Sequence, residues 1–189
     1  MSKEKISFGY SVGIILSTGI FFSLMIVSNF QKNLEISESI TLSSKIRQIQ
    51  IPSIQVKALI ESVGLTSSGN VDVPVGPDNT GWFIKSVLPG EVGISVIDGH
   101  SGWKNNIPAV FDNLDKLKIG DKISIVDYAG GKVTFVVREF KTYKGDAIVP
   151  EVFKSDDGKS HLNLITCEKI VNKNTNEIGR LVVFADKLE

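Results

Sequence analysis

The chain has 189 residues, and its 21 Lys plus Arg balance 21 Asp plus Glu to a formal net charge of zero. That length supports one domain of ordinary size beyond any targeting segment, and the balanced charge excludes the basic footprint of a nucleic-acid binder. A single cysteine, Cys167, excludes an intramolecular disulfide framework.

In chain order, the first element is apolar. No charged residue falls between Ile6 and Gln31, and the most apolar part runs from Val12 to Val27. A helix rises about 1.5 Å per residue, so roughly 20 residues cross a bilayer core of about 30 Å. Lys3 and Lys5 precede the stretch, which places the N-terminus in the cytoplasm and the remainder outside. Residues 1–30 are therefore expected to be a cytoplasmic N-terminus and an uncleaved signal-anchor helix, making the protein single-pass in a cell membrane. A cleaved signal peptide fits less well, because the apolar core is long and Val27-Ser28-Asn29-Phe30 offers no small-x-small cleavage site. Residues 31–45 are polar and Ser-rich and read as a linker.

Residues 46–189 read as one all-β domain. Short β-rich runs with period-two alternation are broken by Gly, Pro, Asn and Asp. Expected strands are Ile46–Ile51, Val56–Ser62, Gly93–Gly99, Lys122–Tyr128, Lys132–Tyr143, Leu162–Cys167 and Arg180–Asp186. Ala129-Gly130-Gly131 joins two of them as a hairpin turn. Pro108–Asp115 and Pro150–Lys154 look like short helical decorations. Such spacing suggests a sandwich or barrel rather than βαβ units.

The chemistry centres on Cys167. A free thiol titrates near 8.5, and a neighbouring cation lowers it towards thiolate. Buried inert cysteines are common, a histidine beside a turn is usually just a satisfied polar group, and an arginine at a strand start is usually solvated. Their placement raises the odds together. Cys167 closes one expected strand, Arg180 opens another, and His100 follows a third, so one barrel rim can gather all three. An imidazole supplies proton exchange with a leaving amine, and a guanidinium suits a substrate carbonyl or oxyanion. His161 lies six residues before Cys167, about 20 Å away at strand rise, too far to act as its base.

Leu164-Ile165-Thr166-Cys167 resembles the Leu-x-Thr-Cys signature of sortases, the membrane-anchored cysteine transpeptidases of bacterial surfaces. Gly99-His100, and Arg180 ahead of an apolar strand, match the other two catalytic positions of that family in the same order. The stretch from Gly81-Trp82-Phe83 through Pro89-Gly90-Glu91-Val92-Gly93 to Gly99-His100 is similar to sortases of class F and related groups. Glu168-Lys169 stand where the class F pattern has glycines, so the class stays open. The resemblance covers about residues 46–188.

It implies an eight-stranded β-barrel in which Cys167 is the nucleophile, His100 the general acid/base and Arg180 the substrate-positioning or oxyanion group. Thr166 would help shape the oxyanion site. The implied substrate is a C-terminal sorting signal, commonly Leu-Pro-x-Thr-Gly, cut between Thr and Gly through a thioacyl enzyme. An amine of a peptidoglycan precursor or a pilin subunit then resolves that intermediate. The polar segment Ile170–Gly179, with three asparagines, is expected to be a loop bordering the groove.

No cofactor is implied, although some sortases respond to calcium, for which Asp112 with Asp115, or Asp156 with Asp157, could supply oxygens. Neither pair has calcium-loop spacing. Zinc would want three or four protein ligands, a poor match to Cys167 and two histidines. Two other readings stay open: a thiol peptidase that releases its product to water, and an anchored barrel that binds a peptide or wall component without catalysis.

Overall fold

The computed structural model describes residues 25–28, 30–32, 46–67, 69–145, 147, 149–172 and 175–189, with side chains at 168–177 excepted. The chain divides into two compact units, Met1–Thr41 and Leu42–Glu189. Within the first unit, residues 25–28 and 30–32 are helical. The expected anchor and linker otherwise lie outside the described residues, among which no helix is long and apolar enough to cross a membrane.

The second unit is a closed barrel. Its strands are β1 (Ile46–Ile51), β2 (Val56–Val63), β3 (Thr80–Phe83), β4 (Gly93–Gly99), β5 (Lys122–Asp127), β6 (Lys132–Lys144), β7 (Ser160–Asn172) and β8 (Thr175–Lys187). They close in the order β1-β2-β3-β4-β7-β8-β6-β5. The β2–β3 and β4–β7 pairs are parallel and the other six antiparallel. Of the sandwich or barrel that the alternating runs allow, the barrel is present, with the eight strands that the family resemblance implies. The β5–β6 turn forms at Ala129–Gly131 as expected: Gly130 takes φ +87°, and Asp127 Oδ1 accepts the N–H groups of Ala129 and Gly131 at 2.8 and 2.7 Å.

Two local expectations are corrected, and the two short helical decorations are present as single 3-10 turns. Thr80–Phe83 is a strand that period-two reading misses, because all four of its residues are buried and no polar face marks the alternation. Strands β7 and β8 run beyond Cys167 and before Arg180 as one long hairpin, paired out to Asn172 opposite Thr175. The expected loop Ile170–Gly179 is therefore strand backbone over much of its length. Pro108–Asp115 forms turns that lead into a 3-10 turn at Leu114–Lys116, and Pro150–Lys154 a 3-10 turn at Pro150–Val152. Segments this short cannot offset the cost of nucleating an α-helix.

Alternation along β7 and β8 sorts their side chains. Leu162, Leu164, Leu181, Val183 and Ala185 point into the barrel, with Ile49, Ile97, Ile123, Phe135 and Val137 from other strands. Burying each of these side chains other than Ala185 contributes about 1.5–3 kcal/mol. Phe111 and Leu114, from the segment after β4, join this core. On the outer face, Ile94, Val96, Ile165, Val182 and Phe184 form a second cluster beneath Val152. The 145–159 connection thus covers one end of the outer β4–β7–β8 surface. The other end, where β4 finishes, is left for Asp98, Cys167 and Arg180.

Candidate active site

Cys167 and Arg180 are direct cross-strand partners in the antiparallel β7–β8 pair. Opposite residues of such a pair share a face, with Cβ atoms about 5 Å apart. Both side chains are partly exposed. The guanidinium is steadied by its own strand, Nη1 donating to the Gly179 carbonyl at 3.1 Å.

The parallel β4–β7 pairing brings the end of β4, which His100 follows, alongside the part of β7 that leads to Cys167. Its register runs from Gly93 beside Ser160 to Asp98 beside Ile165. Two residues after Asp98, just past the end of β4, stands His100, and two residues after Ile165 on β7 stands Cys167. The backbone of His100 is fixed by its carbonyl accepting the Phe111 N–H at 2.9 Å. Its ring lies edge-on to Trp103, with centroids 4.6 Å apart. Nε2 is 2.9 Å from the Pro74 carbonyl. A carbonyl only accepts, so Nε2 is the donor there and Nδ1 is the nitrogen left for other chemistry.

Gly99 makes this turn possible. A Cβ at that position would stand 2.4 Å from Phe111 Cδ2, so only glycine lets β4 close onto the plug before His100. The Gly99 carbonyl in turn accepts a hydrogen bond from Thr166 Oγ1 at 2.6 Å. Thr166 is buried, and its hydroxyl pins the ends of β4 and β7 together inside the barrel. Its backbone, not its hydroxyl, adjoins the thiol.

Two cavities converge on the Cys167–Arg180 rung. One, about 420 Å³, opens at the barrel mouth and is lined by Cys167, Thr166, Ser101, Asp112, Asp115 and Ile178. The other, about 210 Å³, is a groove on the outer face with Arg180, Asp98, Ile165, Val182, Val149 and Tyr143 among its walls. Tyr143 donates to the Glu151 carboxylate, and Asn163 Nδ2 donates to the Val152 carbonyl at 2.7 Å. These bonds hold the 149–153 wall against the sheet. The Glu151 carboxylate lies below its ordinary range because Tyr143 and Lys141 hydrogen-bond to it.

Asp98 is the electrostatic anomaly of the groove. Burial raises its carboxyl from 3.8 to about 7, and the Arg180 charge only partly opposes that rise. Sequence reading passed over it. A charged residue between Ile97 and Gly99, in a run otherwise uncharged from Gly93, is the available signal.

His161 is occupied elsewhere. Its Nδ1 lies 2.7 Å from Asp186 Oδ1 and its Nε2 2.9 Å from Asp157 Oδ2, pinning β7, β8 and the 155–159 turn six residues from Cys167. Two of the four aspartates considered for calcium are engaged: Asp112 accepts from the N–H groups of Gly102 and Ala109, and Asp157 from His161 and the Lys159 N–H. Among the described residues no group of three or more His, Cys, Asp or Glu is gathered to hold a metal.

A Sortase domain model matches residues 49–188. Among solved structures, the chain is similar to sortase C1 from Streptococcus agalactiae at 26% identity, covering 77% of this chain and 68% of that one with a TM-score of 0.60. It is similar to a lid mutant of sortase A from Corynebacterium diphtheriae at 28% identity, over 76% and 70% of the two chains, with a TM-score of 0.59. Sortase C-1 from Actinomyces oris gives 26% identity, 75% and 73% coverage, and a TM-score of 0.59. No curated protein sequence matches. The likeness spans sortases named A and C, so it identifies no single class.

Proposed function

We propose, for a chain that belongs to the sortase family, that it is a membrane-anchored cysteine transpeptidase acting on a sorting signal of the Leu-Pro-x-Thr-Gly kind. Members of that family are cysteine transpeptidases. The observation that carries the reading is the Cys167–Arg180 rung with His100 just past the end of β4. A thiol and a guanidinium share one rung of the β7–β8 hairpin, and the imidazole follows the end of the strand that pairs beside β7.

The donor peptide lies in the outer groove over Ile165 and Val182, its scissile carbonyl directed to the rung. Cys167 sulfur attacks that carbonyl, and the Arg180 guanidinium stabilises the charge that develops on its oxygen. Nδ1 of His100 takes the Cys167 thiol proton as the sulfur attacks and passes it to the departing amine, while the Nε2 bond to Pro74 keeps the ring oriented. The C–N bond breaks and a thioester on Cys167 remains. An acceptor amine entering by the mouth cavity loses a proton to His100, attacks the thioester and releases the thiol. The second cavity beside Cys167 favours transfer over simple hydrolysis, because it gives an acceptor its own place.

The acceptor is proposed to be an amine of a peptidoglycan precursor or of a pilin subunit. The apolar N-terminal stretch holds the catalytic domain at the outer surface of the cell membrane. The test incubates the full-length chain in detergent with sorting-signal peptides and a panel of amines, followed by mass spectrometry of the products. Amide-linked peptide–amine conjugates support transpeptidation. Products carrying only a free carboxyl, at every amine concentration, would assign the protein to the peptidases instead.

A further inference from the structure

The outer groove contains one feature that a site for purely aliphatic side chains does not need. Asp98 stands on its floor, beside Ile165 in the β4–β7 register, and is half-buried. Its partner on β3 is Gly81, so no side chain covers it from that strand. Among the described residues its carboxyl has no hydrogen-bond partner, and it feels Arg180 through charge alone. A peptide filling the groove removes the remaining water. A carboxyl buried without a partner costs about 1–3 kcal/mol or more, so a peptide that binds well must supply one.

The surrounding charges decide which kind of partner. Arg180 and Lys144 both line the groove with Asp98, so a third cation would enter an already positive site. A purely aliphatic side chain leaves the carboxyl unpaired. A primary amide carries both a donor and an acceptor, and so satisfies the carboxyl whether it is ionised or protonated. Both states are populated near neutral pH for this group, whose carboxyl burial lifts to about 7.

We propose that Asp98 is a specificity-determining residue of the donor groove, selecting peptides that present an asparagine or glutamine side chain to it on the N-terminal side of the scissile bond. The inference rests on the sortase reading of the groove and adds the chemistry of one recognised residue. The apolar walls, Val149, Ile165 and Val182, still favour aliphatic groups at the other positions.

The test measures kcat/KM of the full-length chain in detergent, with hydroxylamine as acceptor. Each of the four donor residues preceding the scissile bond is set in turn to Gln, Asn, Leu or Lys. At one position an amide should exceed Leu and Lys by about tenfold, the order expected when a binding site's polar group is otherwise left unpaired. Asp98→Leu should reverse that order in favour of Leu, and Asp98→Asn should retain it. If Asp98→Leu fails to give a cooperative melt, Asp98→Ser takes its place and should flatten the preference. An unchanged ranking in the variants, or a wild type that favours Leu or Lys at every position, overturns the inference while leaving the sortase reading intact. Absence of any acyl adduct on Cys167 across the whole library overturns both.

Discussion

Replacing Asp98 by Asn removes the one carboxyl of the groove whose ionisation the fold opposes. In the folded chain this group titrates at about 7 rather than 3.8. Between those values the native state holds a proton that the unfolded state has released. Stability must then fall as pH rises through that window, and the loss is complete above about pH 7. Three pH units at about 1.4 kcal/mol each set an upper limit of about 4 kcal/mol, and solvent contact at the groove mouth reduces the expected loss to about 2 kcal/mol. Asn has the same shape and no charge, so the stability difference between variant and wild type should be small at pH 4. It should grow in favour of Asn by about 2 kcal/mol at pH 8. Urea unfolding of both full-length chains at five pH values reads that difference directly, and other titrating groups cancel in the subtraction. A difference that stays flat from pH 4 to pH 8 would refute the assignment of Asp98 as a carboxyl strained by burial.

Three further outcomes follow from contacts in the barrel. Thr166→Val strips the bond to the Gly99 carbonyl and leaves that carbonyl unsatisfied, so it should cost about 1–3 kcal/mol in a denaturant melt. Gly99→Ala forces Phe111 aside and should destabilise by a similar ~1–3 kcal/mol, with a larger proportional loss in acylation rate because His100 is displaced; unaltered acylation would contradict the anchoring described for His100. His161→Gln should lower the melting temperature by several degrees through loss of its bonds to Asp157 and Asp186. Acyl-enzyme formation should stay within about twofold of wild type, since that cluster stands some 20 Å from the thiol at strand rise. A large activity loss with a normal melt would draw His161 back into the chemistry.

Much of this arrangement was legible in the sequence because strand alternation is a local signal. Ile46–Ile51 and Lys122–Tyr128 declare themselves by pattern, and Cys167 and Arg180 by bordering the apolar runs Leu162–Thr166 and Leu181–Ala185. The β7–β8 register that makes them partners depends on the whole hairpin, whose length the polar residues between Ile170 and Gly179 disguise. Thr80–Phe83 was silent because burial on every residue erases alternation. The groove could not be read at all. Its wall comes from the 149–153 segment, held by Tyr143–Glu151 and Asn163–Val152 bonds that link residues with no common pattern. Asp98 was visible as a charge in an uncharged run, but its meaning needed the parallel β4–β7 pairing, which places it beside Ile165, two residues before the thiol. Thr166 adds a contact that needed the three-dimensional pairing: strand parity sends its hydroxyl inward to the Gly99 carbonyl.

The central claim is that Cys167 carries the acyl group. Rapid acid quench of the full-length chain with a sorting-signal peptide, followed by intact-mass and fragment analysis, tests it most directly. The account requires a thioester-linked peptide on Cys167 in the wild type, a much slower build-up in His100→Ala and Arg180→Ala, and none in Cys167→Ala. Cleavage of the peptide at an unchanged rate by Cys167→Ala would contradict it.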